Sequence, residues 1–273
     1  MPALIDRDPT PEELVRFNLI ISTATDGTGK NRNNETGGTY PDYSLIEDAT
    51  AEAFGGRTVR TKDVYDVLIP DEVEPSKYYG VSCKMKNNDS ARLAQGRVYV
   101  EYANADSEFL GAVRDAGFTK QKLINQTASA SRCGRAVIEV ARQWHQRTYT
   151  EHKGLLAGES IDPTRSVHLV LSYRWSDTDP KLFDYDLYVY PHLIPRVGIW
   201  RYRKMSLWGY ESPEMLRADA PLYTYNFNSG GHLKWFPRAD AAARHYGPFT
   251  LRQAPQIRLS ERAAMYFLAD WPR

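Results

Sequence analysis

With 273 residues, 42% hydrophobic and 25% charged, the chain is long enough to bury a sizeable core and is too apolar for a disordered or low-complexity protein. Its 35 basic and 34 acidic residues leave a net charge of +1, which excludes a global basic coat for nucleic acid but permits a basic cleft offset by carboxylates elsewhere. There is no apolar run of about 18 residues and no basic-then-apolar start, so the chain reads as a cytoplasmic protein that does not enter a membrane.

Residues 11–25 open on Pro-Glu-Glu, as a helix does, yet Ile20-Ile21-Ser22-Thr23-Ala24-Thr25 favours a strand or irregular structure. Residues 26–42 read as a polar Gly/Asn loop. Its Gly27-Thr28-Gly29-Lys30 run is not a phosphate loop, because Asn31 follows the lysine, and no nucleotide cofactor is expected. Residues 43–54 suit a helix with Leu45, Ala49 and Ala53 on one face, ended by Gly55-Gly56. Strand-like runs follow at 57–61, 63–69, 78–85 and 97–103, and a helix at 106–116 capped by Asp106 or Ser107. The clearest helix is 129–150, where Ala136, Val137, Val140, Ala141 and Trp144 recur at helical spacing. Strands are expected at 166–175, 184–190, 198–204, 222–227 and 233–236, the last two around the turn Asn228-Ser229-Gly230-Gly231, and a final helix at 260–268. The 18 tyrosines and 6 tryptophans, many between 173 and 246, fit strands and packed cores. Nothing repeats and no linker stands out, so one α/β domain is expected.

The chemistry concentrates between Asp63 and Glu101. Asp63 and Asp66 border the apolar run Val67-Leu68-Ile69. Ser82 and Lys84 share one face of the next strand while Val81 and Cys83 take the other. A lysine among apolar neighbours calls for a partner, because an unpaired buried ammonium is costly. Carboxylates holding a divalent cation beside a lysine are what metal-assisted phosphodiester hydrolysis needs.

These residues resemble the PD-(D/E)xK nucleases, and in particular type II restriction endonucleases. The matching pieces are Asp63/Asp66, Tyr79-Gly80-Val81-Ser82-Cys83-Lys84 and Val98-Tyr99-Val100-Glu101-Tyr102-Ala103-Asn104. Ser82 stands where the family usually has an acid, as in a variant that recruits its acid from further along, and Glu101 looks like that relocated carboxylate, with Glu47 as second choice. A second similarity lies in Tyr223 to Pro237, an aromatic strand, a Ser-Gly-Gly turn and a Lys-aromatic-Pro tail. The resemblance implies a mixed β-sheet core flanked by helices, with the catalytic core near 43–120 and recognition elements near 196–237. It implies that Asp66 or Asp63, with Glu101 or Glu47, holds Mg²⁺, that Lys84 offsets developing charge, and that Ser82 lends a hydrogen bond. Asp66 is preferred over Asp63 because the apolar strand follows it directly.

The expected partner is double-stranded DNA, bound by a homodimer, since palindromic sites match two-fold symmetry. Candidate contacts are Arg201, Arg203 and Lys204, which alternate with aromatics, and Asn226, Asn228, Ser229, His232 and Lys234 around the turn, with the loop at 30–34 as a third group. A repair or structure-specific nuclease, or a non-catalytic binding domain, are the alternatives. Asp184 and Asp186 share a strand face, read as exposed. Six histidines show no H-x-x-x-H or H-x-H spacing, and Cys83 and Cys133 no C-x-x-C, so no zinc site is expected.

Overall fold

The computed structural model describes residues 3–33, 35–60, 63–87, 95–103, 107–194, 197–227 and 231–266. The segment expected to be a strand or irregular is instead helix α1, Pro11–Ser22. Its start is a capping box: the Thr10 hydroxyl accepts from the Glu13 N–H at 3.2 Å, and the Glu13 carboxylate accepts from the Thr10 N–H at 2.7 Å. With Pro11 in the first turn and Phe17 and Ile21 buried four residues apart, the cap and the helical stripe outweigh the β preference of the segment's end. Helix α2, Tyr43–Phe54, has the expected bounds; Asp42 caps it and Gly55 ends it in the left-handed conformation at φ 70°. Within the polar loop, β1 (Asn31–Arg32) and β2 (Thr39–Tyr40) form a small ladder.

The main sheet holds β3 (Arg57–Thr58), β4 (Val67–Pro70), β5 (Lys77–Asn87), β7 (Ser160–Ile161), β8 (Val167–Trp175), β9 (Phe183–Pro191) and β14 (Arg244–Thr250). Their order is β14-β9-β8-β5-β4-β3, with β7 beside β5. Strand β5 runs parallel to β8 and β7 and antiparallel to β4, so the sheet is mixed. Between β5 and β8 the chain forms β6 (Val100–Ala103), α3 (Ser107–Asp115), α4 (Lys120–Ile124) and α5 (Ala130–Glu151). A second, antiparallel sheet has the order β10-β11-β12-β13-β6, with β10 at Ile199–Arg203, β11 at Ser206–Tyr210, β12 at Tyr223–Asn226 and β13 at His232–Trp235. Helices α6 (Pro213–Arg217) and α7 (Leu259–Tyr266) complete the described elements. Strands β7, β11 and β14 and helices α4 and α6 lie outside the segments expected to form elements. No helix among the described residues is long and apolar enough to cross a membrane.

Side-chain alternation divides β5 between two cores. Tyr79, Val81, Cys83 and Met85 pack with Phe17, Ile46 and Phe54 of α1 and α2. The other face of the sheet looks toward α5 and the second sheet, where Val137 and Ala141 meet Trp200, Tyr223 and Leu233. The apolar face of α5 is therefore internal. Helix and sheet approach so closely that a Cβ on Gly134 would lie 2.1 Å from the Trp200 ring. Cys83 and Cys133 are both buried and free.

Candidate active site and nucleic-acid face

Asp63 and Asp66 do not share a strand: β4 begins only at Val67, and the residues before it turn. Tyr65 shapes that turn. Its ring lies over Gly80, where an added Cβ would come within 2.4 Å of the ring. The Tyr65 hydroxyl hydrogen-bonds His192 Nδ1 at 2.9 Å, and its carbonyl lies 3.0 Å from His152 Nε2. Next to it, the Asp66 N–H donates to Val81 O at 3.0 Å and the Asp66 carbonyl accepts from the Val59 N–H at 2.8 Å. So clamped, the Asp66 carboxylate reaches β5. Its Oδ2 accepts from the Cys83 N–H at 2.7 Å and lies 3.4 Å from Lys84 Nζ. Asp63 points elsewhere and accepts from the Lys153 N–H at 3.0 Å, just past the end of α5.

Lys84 thus has the partner its mid-strand position demanded, and Ser82, only 2% exposed, precedes it on the same strand face. Glu47, on α2, belongs to the same cluster. Burial raises its pKa to about 7, and repulsion from the Asp66 carboxylate adds to this while Lys84 opposes it. The Glu47 and Asp66 carboxylates offer hard oxygens whose mutual repulsion a divalent cation would relieve. This donor set fits Mg²⁺, which commonly takes one or two carboxylates and completes its shell with water and substrate phosphate. Among the described residues no group of three or more His, Cys, Asp or Glu is arranged to hold a metal ion unaided.

Glu101 lies outside that cluster. Its carboxylate is 3.0 Å from Lys86 Nζ and 2.6 Å from His232 Nδ1. Burial alone would raise its pKa, but Lys86 and then His232 draw it below the usual carboxylate range. Glu101 is on β6, in the second sheet, and meets β5 through Lys86, two residues beyond Lys84 and so about 7 Å further along the strand.

The pairing registers explain what the second sheet presents. One row across it reads Arg203, Ser206, Asn226, His232; the next reads Arg201, Trp208, Thr224, Lys234, Glu101. Directly opposed residues project from the same side of an antiparallel ladder. The alternate residues Trp200, Leu207, Tyr225 and Leu233 go into the core. Arg201, Arg203, Asn226, His232 and Lys234 therefore share one polar face, with Lys204 in the β10–β11 turn at φ 53°. Arg203 lies 4.3 Å over Trp208 and pairs with Asp219. Asn228 and Ser229 lie outside the described residues. At the far side, Lys86 and Lys234 sit 4.8 and 5.2 Å over the Tyr99 ring, which carries the basic face across to β5.

Sequence spacing missed two features. Lys86 shares the face of Lys84, and the alternation that singled out Ser82 and Lys84 would have found it. No local signal could have found the second. His145 of α5, His168 of β8 and His192, just past β9, converge with ring centroids 4.4 and 4.5 Å from that of His192. Burial pushes all three well down, His145 to about 3, and the nearby Lys84 charge adds to this, so all three imidazoles are neutral. Asp184 and Asp186 form no cluster: they bond Thr250 and His245 of β14. The chain has no match among protein-family models, curated proteins or solved structures.

Proposed function

We propose that this chain is a Mg²⁺-dependent endonuclease of double-stranded DNA, with a restriction-endonuclease-like core, acting as a type II restriction enzyme. The observation that carries this reading is the Asp66–Lys84 pair, within electrostatic reach of Glu47, beside a face that bears Lys86, His232, Lys234, Arg201 and Arg203. A charged cluster able to act on a phosphodiester is thereby next to a surface able to follow a phosphate backbone.

In this reading Glu47 and Asp66 would hold the cation, ahead of Glu101, which Lys86 and His232 already engage. Bound Mg²⁺ would supply Lewis-acid polarisation of the scissile phosphate. The Cys83 N–H fixes the orientation of the Asp66 carboxylate, and Asp66 in turn steadies the Lys84 ammonium. Lys84 then offsets the negative charge that develops on the phosphoryl oxygens. Glu47, whose carboxyl burial raises to about 7, would have to bind a cation as the carboxylate. The basic face sets the register on the duplex, and a homodimer would place two such clusters on a palindromic site.

Plasmid and mixed-sequence duplex DNA, incubated with Mg²⁺ and with an EDTA control, test this. Discrete fragments are expected; a smear or structure-dependent nicking would make it a repair-type nuclease. No nicking on any DNA would overturn the enzyme reading and leave a binding domain.

A further inference from the structure

Beside the proposed catalytic cluster lies a concave pocket of about 480 Å³, where the ends of β5 and β8 meet the polar face of the second sheet. Its volume lies in the range of small-molecule sites, roughly 300–1,000 Å³. Three cationic side chains line it, Lys86, Arg97 and Lys234, together with the aromatic rings of Tyr99, Trp208 and Phe236. Ser206, Thr224 and Asn226 add hydroxyl and amide groups to the same wall. The rings are held in place. Tyr99 stacks on Phe236 with centroids 5.5 Å apart and planes 18° apart, and Arg97 donates to the Phe236 carbonyl at 2.6 Å. The Trp208 indole N–H donates to the Ser206 hydroxyl at 2.9 Å.

We propose that this pocket receives a single unstacked nucleotide of the bound DNA, its base against the aromatic wall and its phosphate among Lys86, Arg97 and Lys234. Shape is the first argument. Base edges inside a duplex are read by elements that protrude into a groove, whereas a concavity can only take something that leaves the stack. Composition is the second: aromatic faces suit a base, fixed amide and hydroxyl groups suit its polar edge, and the cations suit its phosphate. Position is the third. Lys86 belongs to the pocket and follows Lys84 by two residues on one strand face, so a nucleotide held there lies next to the backbone that the catalytic cluster would address. The proposal rests on the DNA-binding half of the reading above and not on cleavage.

The test compares a duplex carrying one bulged nucleotide with the fully paired duplex of the same sequence. Affinity is measured by fluorescence anisotropy on the full chain in EDTA. A bulged base has no pairing partner to give up, so the bulged duplex is expected to bind at least tenfold more tightly. Trp208→Ala and Thr224→Val should each remove most of that preference while still binding the paired duplex, and circular dichroism confirms that each variant folds. Equal binding of the two duplexes, or a preference that survives both substitutions, would overturn the proposal. So would a pocket that binds free dAMP, sensitive to Trp208→Ala, without any preference for the bulge; that result assigns it to a free nucleotide. Plasmid nicking in Mg²⁺ reports on the nuclease reading separately: a bulge preference without nicking refutes only the latter, and nicking without a bulge preference refutes only the pocket.

Discussion

Replacing Glu47 by glutamine probes the electrostatics of the proposed metal site without requiring a substrate. The Glu47 carboxyl is raised from an ordinary 4.5 to about 7, by burial first and by Asp66 second. Fully converted, that difference corresponds to about 3 kcal/mol, and solvent screening of a partly buried group reduces it to about 1–2 kcal/mol. The sign follows from proton binding: the folded state holds the proton more tightly than the unfolded chain. The stabilisation is therefore complete below about 4.5 and is lost as pH rises through about 7. Glutamine keeps the shape of the protonated acid and cannot ionise. Glu47→Gln should match the wild type near pH 5 and exceed it at pH 8 by about 1–2 kcal/mol, or roughly 2–6 °C in Tm. Millimolar Mg²⁺ at pH 8 should raise the wild-type Tm and leave the variant's unchanged. Scanning calorimetry at the two pH values, with and without Mg²⁺, reads all of this. A variant less stable than wild type at pH 8, or equally responsive to Mg²⁺, would refute the reasoning.

Lys84→Ala removes the ammonium 3.4 Å from Asp66; cleavage should fall about 10³-fold while duplex binding changes only a few-fold, and unchanged cleavage would exclude Lys84 from the chemistry. Gly80→Ala sets a methyl group within 2.4 Å of the Tyr65 ring and should cost about 2–3 kcal/mol in urea unfolding, since the turn that carries Asp66 must move; a neutral result would contradict the packing. The histidines His145, His168 and His192 are neutral when folded and charge on unfolding, so their contribution is complete above about 6.5 and falls as pH drops below it. Below pH 6 stability should decline by up to about 4 kcal/mol per pH unit, and a flat profile between pH 6 and 4.5 would count against the buried cluster. Arg201→Met, at an exposed position of the basic face, should lower the salt dependence of duplex binding by about one phosphate equivalent; an unaltered slope would place the DNA elsewhere.

Much of this arrangement was legible in the chain. Period-two alternation put Ser82 and Lys84 on one strand face and Val81 and Cys83 on the other, and it put Arg201 and Arg203 together. Caps and helical spacing fixed the bounds of α2 and the run of α5. Helix α1 is not legible from its β-branched end, because the Thr10/Glu13 capping box that starts it acts through bonds that form only in three dimensions. The choice between Asp66 and Asp63 was open in sequence because both flank the same apolar run. The tertiary structure separates them: the Tyr65 ring lies over Gly80, a contact between residues fifteen positions apart, and Asp66 meets Lys84 while Asp63 meets Lys153.

What the sequence determined by itself was therefore local: element periodicity, the pairing demand of a mid-strand lysine, and which side chains share a face. These follow from backbone geometry repeated every two or 3.6 residues. Only the tertiary structure decided which groups meet. It brought Glu47 of α2 to Asp66 and Lys84, bound Glu101 to Lys86 and His232, and gathered three histidines from α5, β8 and the end of β9. The reason is physical: those meetings are set by sheet order and by helices packed across sheet faces, and neither leaves a fixed spacing in the chain.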